Sequence, residues 1–443
     1  MSVSTALEGI AKKAKRNGAH QFVNLYRLLN EESLHMAWKE LNKRAAAGID
    51  KVTAGEYAQD LDKNIEELVK RLKEKRYRAT PIRRQYIPKS NGKMRPLGIP
   101  VLEDRLVQRA TVMILEAIYE QDFLPVSHGY RSGKSAKGCV KELRDELQFG
   151  GYRYVVEADI KGFFDHLDHD WLMKMLAHRI NDRSLLRLIK KWLIVGVLEP
   201  EGMTIHPKTG TPQGGIISPI LANIYLHYAL DLWVMRPFRN HCHEEVKYVR
   251  YADDFVCAFA SKMDAERFYE ELPVRLAKFN LSLAEDKTRI LKSGWCWGKM
   301  AQAFDFLGFT LKWEKDRKGH PYLRRKTSRK KLEQGAREMK EFIKAHRSLK
   351  LPKLIEKVNA KLRGHYEYFG VIGNSRSIQE FARITTNLLF KWLNRRSQKR
   401  SFNWRTFETA IKRLGLLRPR ITEQKDNQLK LPFPPLSRVR KRI

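Results

Sequence analysis

Cysteine is scarce: Cys139, Cys242, Cys257 and Cys296 are all that 443 residues contain, and no two form a Cys-x-x-Cys pair. That excludes a disulfide framework and points to a reducing compartment. His241-Cys242-His243 has no second ligand pair at the spacing of a structural zinc site. Long apolar runs are missing too; none approaches the roughly 18 residues of a membrane span, and the N-terminus has no apolar signal-peptide core. Its basic start, with Glu8 the only acid before Glu31, would suit an organellar transit peptide, a reading that ranks below a cytoplasmic location. Acids are the third shortage: 50 Asp and Glu face 86 Lys and Arg, a net charge of +36. Such an excess attracts polyanions, nucleic acid ahead of a membrane surface. With 42% hydrophobic and 10% aromatic residues the chain is globular, and its length allows two or three domains.

What is present centres on residues 246–259, VKYVRYADDFVCAF. Two runs rich in Val, Tyr and Phe flank Ala252-Asp253-Asp254, which predicts a β-hairpin with carboxylates at its tip. Successive strand residues face opposite sides of a sheet, so both acids serve one site only if the turn redirects one of them. Asp253 is therefore the first ligand candidate and Asp254 the second. Two carboxylates about 4 Å apart repel by about 4 kcal/mol at an effective dielectric of about 20. The pair is tolerable as a solvated turn, with one acid protonated, or with a hard cation such as Mg²⁺ between them.

Along the chain, residues 21–76 read as helices, with Tyr57, Leu61, Ile65, Leu68 and Leu72 at helical steps and Thr53 as an N-cap. IRRQYIPKSNGKMRPLGIP, at 82–100, reads as a hairpin carrying Lys89, Lys93 and Arg95. After an amphipathic helix from Leu102, HGYRSGKSAKGC reads as a basic glycine loop able to approach phosphates, though not a Walker loop. RYVVEADIKGFFD predicts a strand ending near Asp159. TGTPQGGIISPILANIYLHYAL puts Gly214 and Gly215, free to take positive φ, before a helix apolar on nearly all sides. A helix at 262–279 and a strand pair in AFDFLGFTLKW follow. Composition shifts near Asp316: Arg317 to Lys331 holds eight basic residues and no acid. Helices are predicted at 328–347, 352–369 and 376–395, and Lys361 to Ile443 carries 20 basic and 5 acidic residues.

Taken in order, IPKSNGKMRPLGIP, FLPVSHGYRSGKSAKGC, VVEADIKGFFDHLDHDWL, TGTPQGGIISPILANIYL, YVRYADDFVCAF, LSLAEDKTRI and FDFLGFTL resemble the successive blocks of group II intron-encoded reverse transcriptases. KVNAKLRGHYEYFGVIGNSRSIQEF resembles their maturase segment, with His365 and Glu367 where the family has tryptophan and asparagine. The resemblance implies an α+β right-hand polymerase: a helical N-terminal extension (1–80), fingers and an antiparallel palm sheet (81–313), an α-helical thumb or maturase domain (314–395) and a basic nucleic-acid-binding segment (396–443). No Cys- or His-rich endonuclease pattern follows the thumb, as in short class C members.

The resemblance also implies residue roles. Asp159, Asp253 and Asp254, with the main-chain oxygen of Ile160, would hold two Mg²⁺ ions, with Mn²⁺ as a substitute. Lys89 and Arg95 would close on the incoming triphosphate, and Gln213 would contact the nucleotide near its sugar. Periodicity leaves Phe163 and Phe164 equivalent; the family's sugar gate corresponds to Phe164, whose ring would exclude a 2′-hydroxyl. The implied activity is RNA-directed DNA synthesis, with splicing assistance to the parent intron RNA. Implied partners are that RNA, an RNA template with a DNA primer, dNTPs and target DNA, without a membrane. The competing readings are a reverse transcriptase serving host defence or a CRISPR array, and an RNA-binding maturase without polymerase activity.

Overall fold

The computed structural model describes residues 2–88, 94–205, 209–211, 214–396, 398 and 401–424. The chain forms two compact units, Met1–Arg324 and Arg325–Ile443.

In the first unit, α1 (Val3–Arg16) starts at Ser2, whose hydroxyl accepts the Thr5 N–H. The helix lies ahead of the helical periodicity at 21–76, within the expected helical N-terminal extension. Helices α2 (Glu31–Glu40), α3 (Ala54–Tyr57) and α4 (Leu61–Lys73) follow; Thr53 caps α3 reciprocally with Glu56. Strands β1 (Ile82–Pro88) and β2 (Met94–Ile99) pair antiparallel with Ile87 opposite Arg95. The turn joining them, with Lys89 and Lys93, lies outside the described residues. Leucine and isoleucine recur around α5 (Leu102–Tyr119), which is buried over most of its surface. Helix α6 (Ala136–Phe149) begins inside the segment expected to be a loop. The Ser135 hydroxyl accepts the Gly138 N–H at 3.0 Å, so Gly138 sits in a first helical turn rather than in a phosphate-binding loop.

Strand β3 (Tyr154–Asp159) is followed by α7 (Phe163–His166), α8 (His169–Ala177), α9 (Arg183–Ile194) and the short β4 (Val197–Leu198) and β5 (Thr204–Ile205). β4 and β5 extend the first hairpin into a sheet of order β2–β1–β4–β5. Helix α10 (Ser218–Leu226), with Pro219 in its first turn, runs into two π-helical turns, His227–Asp231 and Val234–Phe238. Then come β6 (Val246–Tyr251), β7 (Asp254–Phe259), α11 (Lys262–Ala277), β8 (Arg289–Lys292), and the antiparallel β9 (Phe304–Phe306) and β10 (Phe309–Lys315).

The central sheet has the order β6–β7–β3–β8, every neighbour antiparallel. β7 buries every residue after Asp254, so the sheet is covered on both faces, on one of them by α11. Each such large apolar side chain contributes about 1.5–3 kcal/mol by leaving water. The expected α+β architecture, an antiparallel sheet followed by a helical segment, is the one the chain adopts.

β11 (Pro321–Thr327) carries the chain into the second unit, so strand precedes the first predicted helix, at 328–347, in the thumb segment expected from 314. Alternation explains it: Leu323, Arg325 and Thr327 are buried while their neighbours are not. Helices α12 (Arg329–His346), α13 (Leu351–Phe369) and α14 (Ser375–Leu393) fall within two residues of their predicted limits, and α15 (Trp404–Arg413) follows. Leu354, Val358 and Leu362 of α13 and Ile378, Phe381 and Leu389 of α14 supply its core. His365 lies flat on Phe381, ring centroids 3.7 Å apart, and burial pushes its pKa down to about 4.

Candidate active site

The β6–β7 connection is a two-residue turn in which Ala252 takes φ +57°. Left-handed backbone at the first turn residue is what joins two twisted strands tightly. Asp253 therefore sits in the turn and Asp254 opens β7. Asp254 is the direct register partner of Asp159 on β3. Directly opposed residues of neighbouring strands project to the same sheet face. The turn thus resolves the difficulty of two consecutive acids: Asp159 and Asp254 share a face by register, and Asp253 joins them from the turn.

All three carboxylates line one cavity of about 690 Å³. Around them stand Arg95 from β2, Tyr130, Ile160, Phe164, Gly214, Ser218 and Lys287. The Ile160 backbone is fixed by its neighbours: the Lys161 N–H donates to the Ser282 oxygen at 2.9 Å, and the Ala284 N–H donates to the Asp159 oxygen at 2.8 Å. Neither bond uses the Ile160 carbonyl. Phe163 and Phe164 both line the cavity, but Phe163 is 2% exposed and packs against Tyr225, whereas Phe164 is only partly buried. Gly214 takes φ +114°, and a Cβ there would lie 2.5 Å from the Gly98 oxygen, so only glycine lets the chain pass.

The charges are unbalanced. Burial raises the Asp253 pKa, the Asp159 charge raises it further, and Arg95 opposes them. The Lys287 ammonium is ion-paired with Asp159, and that bond raises the lysine pKa. Among the described residues no three Asp, Glu, His or Cys side chains form a ready-made metal cluster. The donors nonetheless fit Mg²⁺, which typically takes one or two carboxylates and completes its octahedron with water and substrate phosphate. Lys287 holds the Oδ2 oxygen of Asp159 as a positive charge, so a cation binding that carboxylate competes with it.

Of the residues singled out from sequence, Asp159, Asp253, Asp254, Ile160, Phe164 and Arg95 line the same cavity. Lys89 and Gln213 lie outside the described residues. Among the cavity residues without a sequence assignment are Lys287 within LSLAEDKTRI and Tyr130 within HGYRSG. Tyr130 takes φ +57°, a conformation uncommon outside glycine, and strain of that kind is invisible in a residue pattern.

Residues 87–311 match the family described as "Reverse transcriptase (RNA-dependent DNA polymerase)", and residues 332–408 match "Group II intron, maturase-specific domain". Group II intron-encoded protein LtrA of Lactococcus lactis subsp. cremoris is 35% identical over 370 residues, covering 69% of this chain and 59% of that protein. Protein YkfC of Escherichia coli (strain K12) is 36% identical over 273 residues, 55% of this chain and 70% of YkfC. Nuclear intron maturase 1, mitochondrial, of Arabidopsis thaliana is 34% identical over 107 residues, 24% and 15% of the two chains. The chain therefore spans about three fifths of the length of LtrA.

Proposed function

The chain belongs to the group II intron-encoded reverse transcriptases, a family that uses divalent metal ions, and from that premise we propose that it copies RNA into DNA at the cavity bounded by Asp159, Asp253 and Asp254. The observation that carries the reading is the convergence of these acids, from two paired strands and the turn between β6 and β7, on one open cavity that also holds Arg95.

Nucleotide addition is an in-line attack of a primer 3′-oxygen on the α-phosphate of a dNTP, with diphosphate leaving. Mg²⁺ held by Asp159 and Asp253, with Asp254 and the Ile160 carbonyl beside them, would supply charge neutralisation at the attacking and leaving oxygens. The chain's own tasks are positional. Arg95 presents a planar guanidinium to the triphosphate and can engage it through two N–H groups at once. By the family resemblance, Lys89 would add a point charge to the triphosphate and Gln213 would contact the nucleotide near its sugar. The Phe164 ring, the more exposed of the two phenylalanines lining the cavity, excludes a 2′-hydroxyl. The test is primer extension on an RNA template with dNTPs and Mg²⁺. Synthesis by the wild-type chain and none by Asp253→Ala supports the reading; wild-type inactivity removes it.

A second role rests on the maturase-specific match and on the basic second unit: binding the parent intron RNA and favouring its splicing-competent fold. Phosphate neutralisation needs Lys and Arg, not the three aspartates. Asp253→Ala should therefore spare splicing of that RNA in vitro; simultaneous loss of both activities would contradict the separation. Target DNA and a bacterial cytoplasmic setting complete the proposal.

A further inference from the structure

We propose that Arg250 is a positioning residue for the turn acids: its guanidinium, neutralised by Asp231, grips the Ala252 carbonyl and so sets where Asp253 and Asp254 point. The inference deepens the polymerase reading and rests on it for its catalytic consequence.

Arg250 and Asp231 are both 0% exposed. Arg250 Nε donates to Asp231 Oδ1 at 2.7 Å and Nη2 to Oδ2 at 2.5 Å. Nη2 also donates to Ser127 Oγ at 2.8 Å, and Nη1 donates to Asn223 Oδ1 at 3.1 Å and to the Ala252 oxygen at 2.9 Å. All five N–H groups of the guanidinium are thus used. Tyr248 donates a further bond to Asp231, at 2.9 Å. Eight residues of regular helix would set the Asn223 and Asp231 side chains about 80° apart. The wider π turn at His227–Asp231 intervenes, and both reach the same guanidinium.

A buried ion pair is poor value as stability alone, because desolvation takes back much of the attraction and an apolar pair of similar volume often serves as well. An apolar pair cannot donate to a carbonyl. The Ala252 oxygen belongs to the residue held at φ +57°, directly before Asp253, so the bond fixes the strained link on which both acids hang. The same turn is pressed from the other side. A Cβ at Gly129 would lie 2.3 Å from the Ala252 nitrogen, and the Gly129 oxygen is held by Asn223 Nδ2 at 2.7 Å. Asn223 therefore ties the guanidinium and the glycine backbone into one clamp around Ala252.

The experiment compares the full-length wild type with Arg250→Met/Asp231→Leu, which removes the clamp without stranding a buried charge, and with Gly129→Ala, which leaves the ion pair intact and displaces the turn. Melting curves, amide exchange at Asp253 and Asp254, and kcat, dNTP KM and Mg²⁺ midpoint in primer extension are measured. A misplacement of about 1 Å can lower a rate by about 10²-fold. Folded variants should thus show kcat down by about that factor, a higher Mg²⁺ midpoint, dNTP KM within about threefold, and turn exchange faster by about tenfold or more. A folded double variant with wild-type exchange, kcat and Mg²⁺ midpoint overturns the proposal, since a merely structural pair would move only the melting curve. If the double variant does not fold, Gly129→Ala decides, and its unchanged kcat and exchange overturn the clamp. If the wild type makes no DNA, the polymerase reading falls, while exchange at the turn still decides for or against the clamp.

Discussion

The two compact units carry charge in opposite ways. The first holds 54 Lys and Arg against 41 Asp and Glu in 324 residues, a net of +13; the second holds 32 against 9 in 119 residues, a net of +23. The dilute charge of the first unit is arranged residue by residue, with acids gathered at one turn and a buried Arg250–Asp231 pair beneath it. The dense charge of the second is spread over the exposed faces of amphipathic helices whose apolar faces form the core. A concentrated device depends on single atoms; a distributed one depends on a sum. Point substitutions should therefore be severe in the first unit and graded in the second.

The steepest effect is expected at Asp253. Metal-held charge is worth several kcal/mol in the transition state, and at about 1.4 kcal/mol per decade Asp253→Ala should lower DNA synthesis by roughly 10³-fold or more. RNA binding measured by filter retention should stay unchanged; a parallel loss would break the comparison. Next is Phe164→Val, which should raise ribonucleotide incorporation roughly 10- to 100-fold relative to dNTPs in primer extension. Unchanged sugar discrimination would remove that ring from the site. Arg95→Ala should raise dNTP KM about tenfold through lost charge-assisted hydrogen bonds, read in steady-state titrations.

How much of this could be seen in the residues alone follows the same division. Helices α12, α13 and α14 were legible because apolar residues recur at helical steps, and nothing in the second unit overrides that period. The acids of the site were legible because β-prone runs isolate them. What sequence could not show is depth. Arg250 reads as one more cation in a basic chain, yet it is fully buried, and only the fold brings Asp231, Asn223 and Ser127 around it. The glycines of HGYRSGKSAKGC invited a phosphate-loop reading; Gly129 is small because Ala252 presses on it, and Gly138 lies inside α6. Lys287 and Tyr130 reach the cavity from separate loops, a convergence that no local pattern encodes.

In the second unit the expected effects are smaller. Arg363 and Arg376 are exposed on α13 and α14. Replacing both with Ala should reduce the slope of log affinity for intron RNA against log salt by about 1 to 2, with synthesis on a short template unchanged. A slope that does not move would place the RNA elsewhere. The gentlest effect is that of His365, whose pKa burial lowers to about 4 from the ordinary 6.5. The unfolded chain then binds the proton more readily, so the stability from keeping the ring neutral is present above about pH 6.5 and lost as pH falls toward 4. Between pH 7 and 5 the loss should be of order 1–2 kcal/mol. Faster amide exchange in α13 at pH 5, abolished by His365→Phe, would show it.

Anomalous diffraction from Mn²⁺, in crystals grown with an RNA template, a DNA primer and a non-reacting dNTP analogue, tests the central claim most directly. Metal peaks at the Asp159 and Asp253 carboxylates, with Lys287 displaced from Asp159, are the predicted result. Metal held elsewhere, with the Lys287–Asp159 pair still closed, would contradict it.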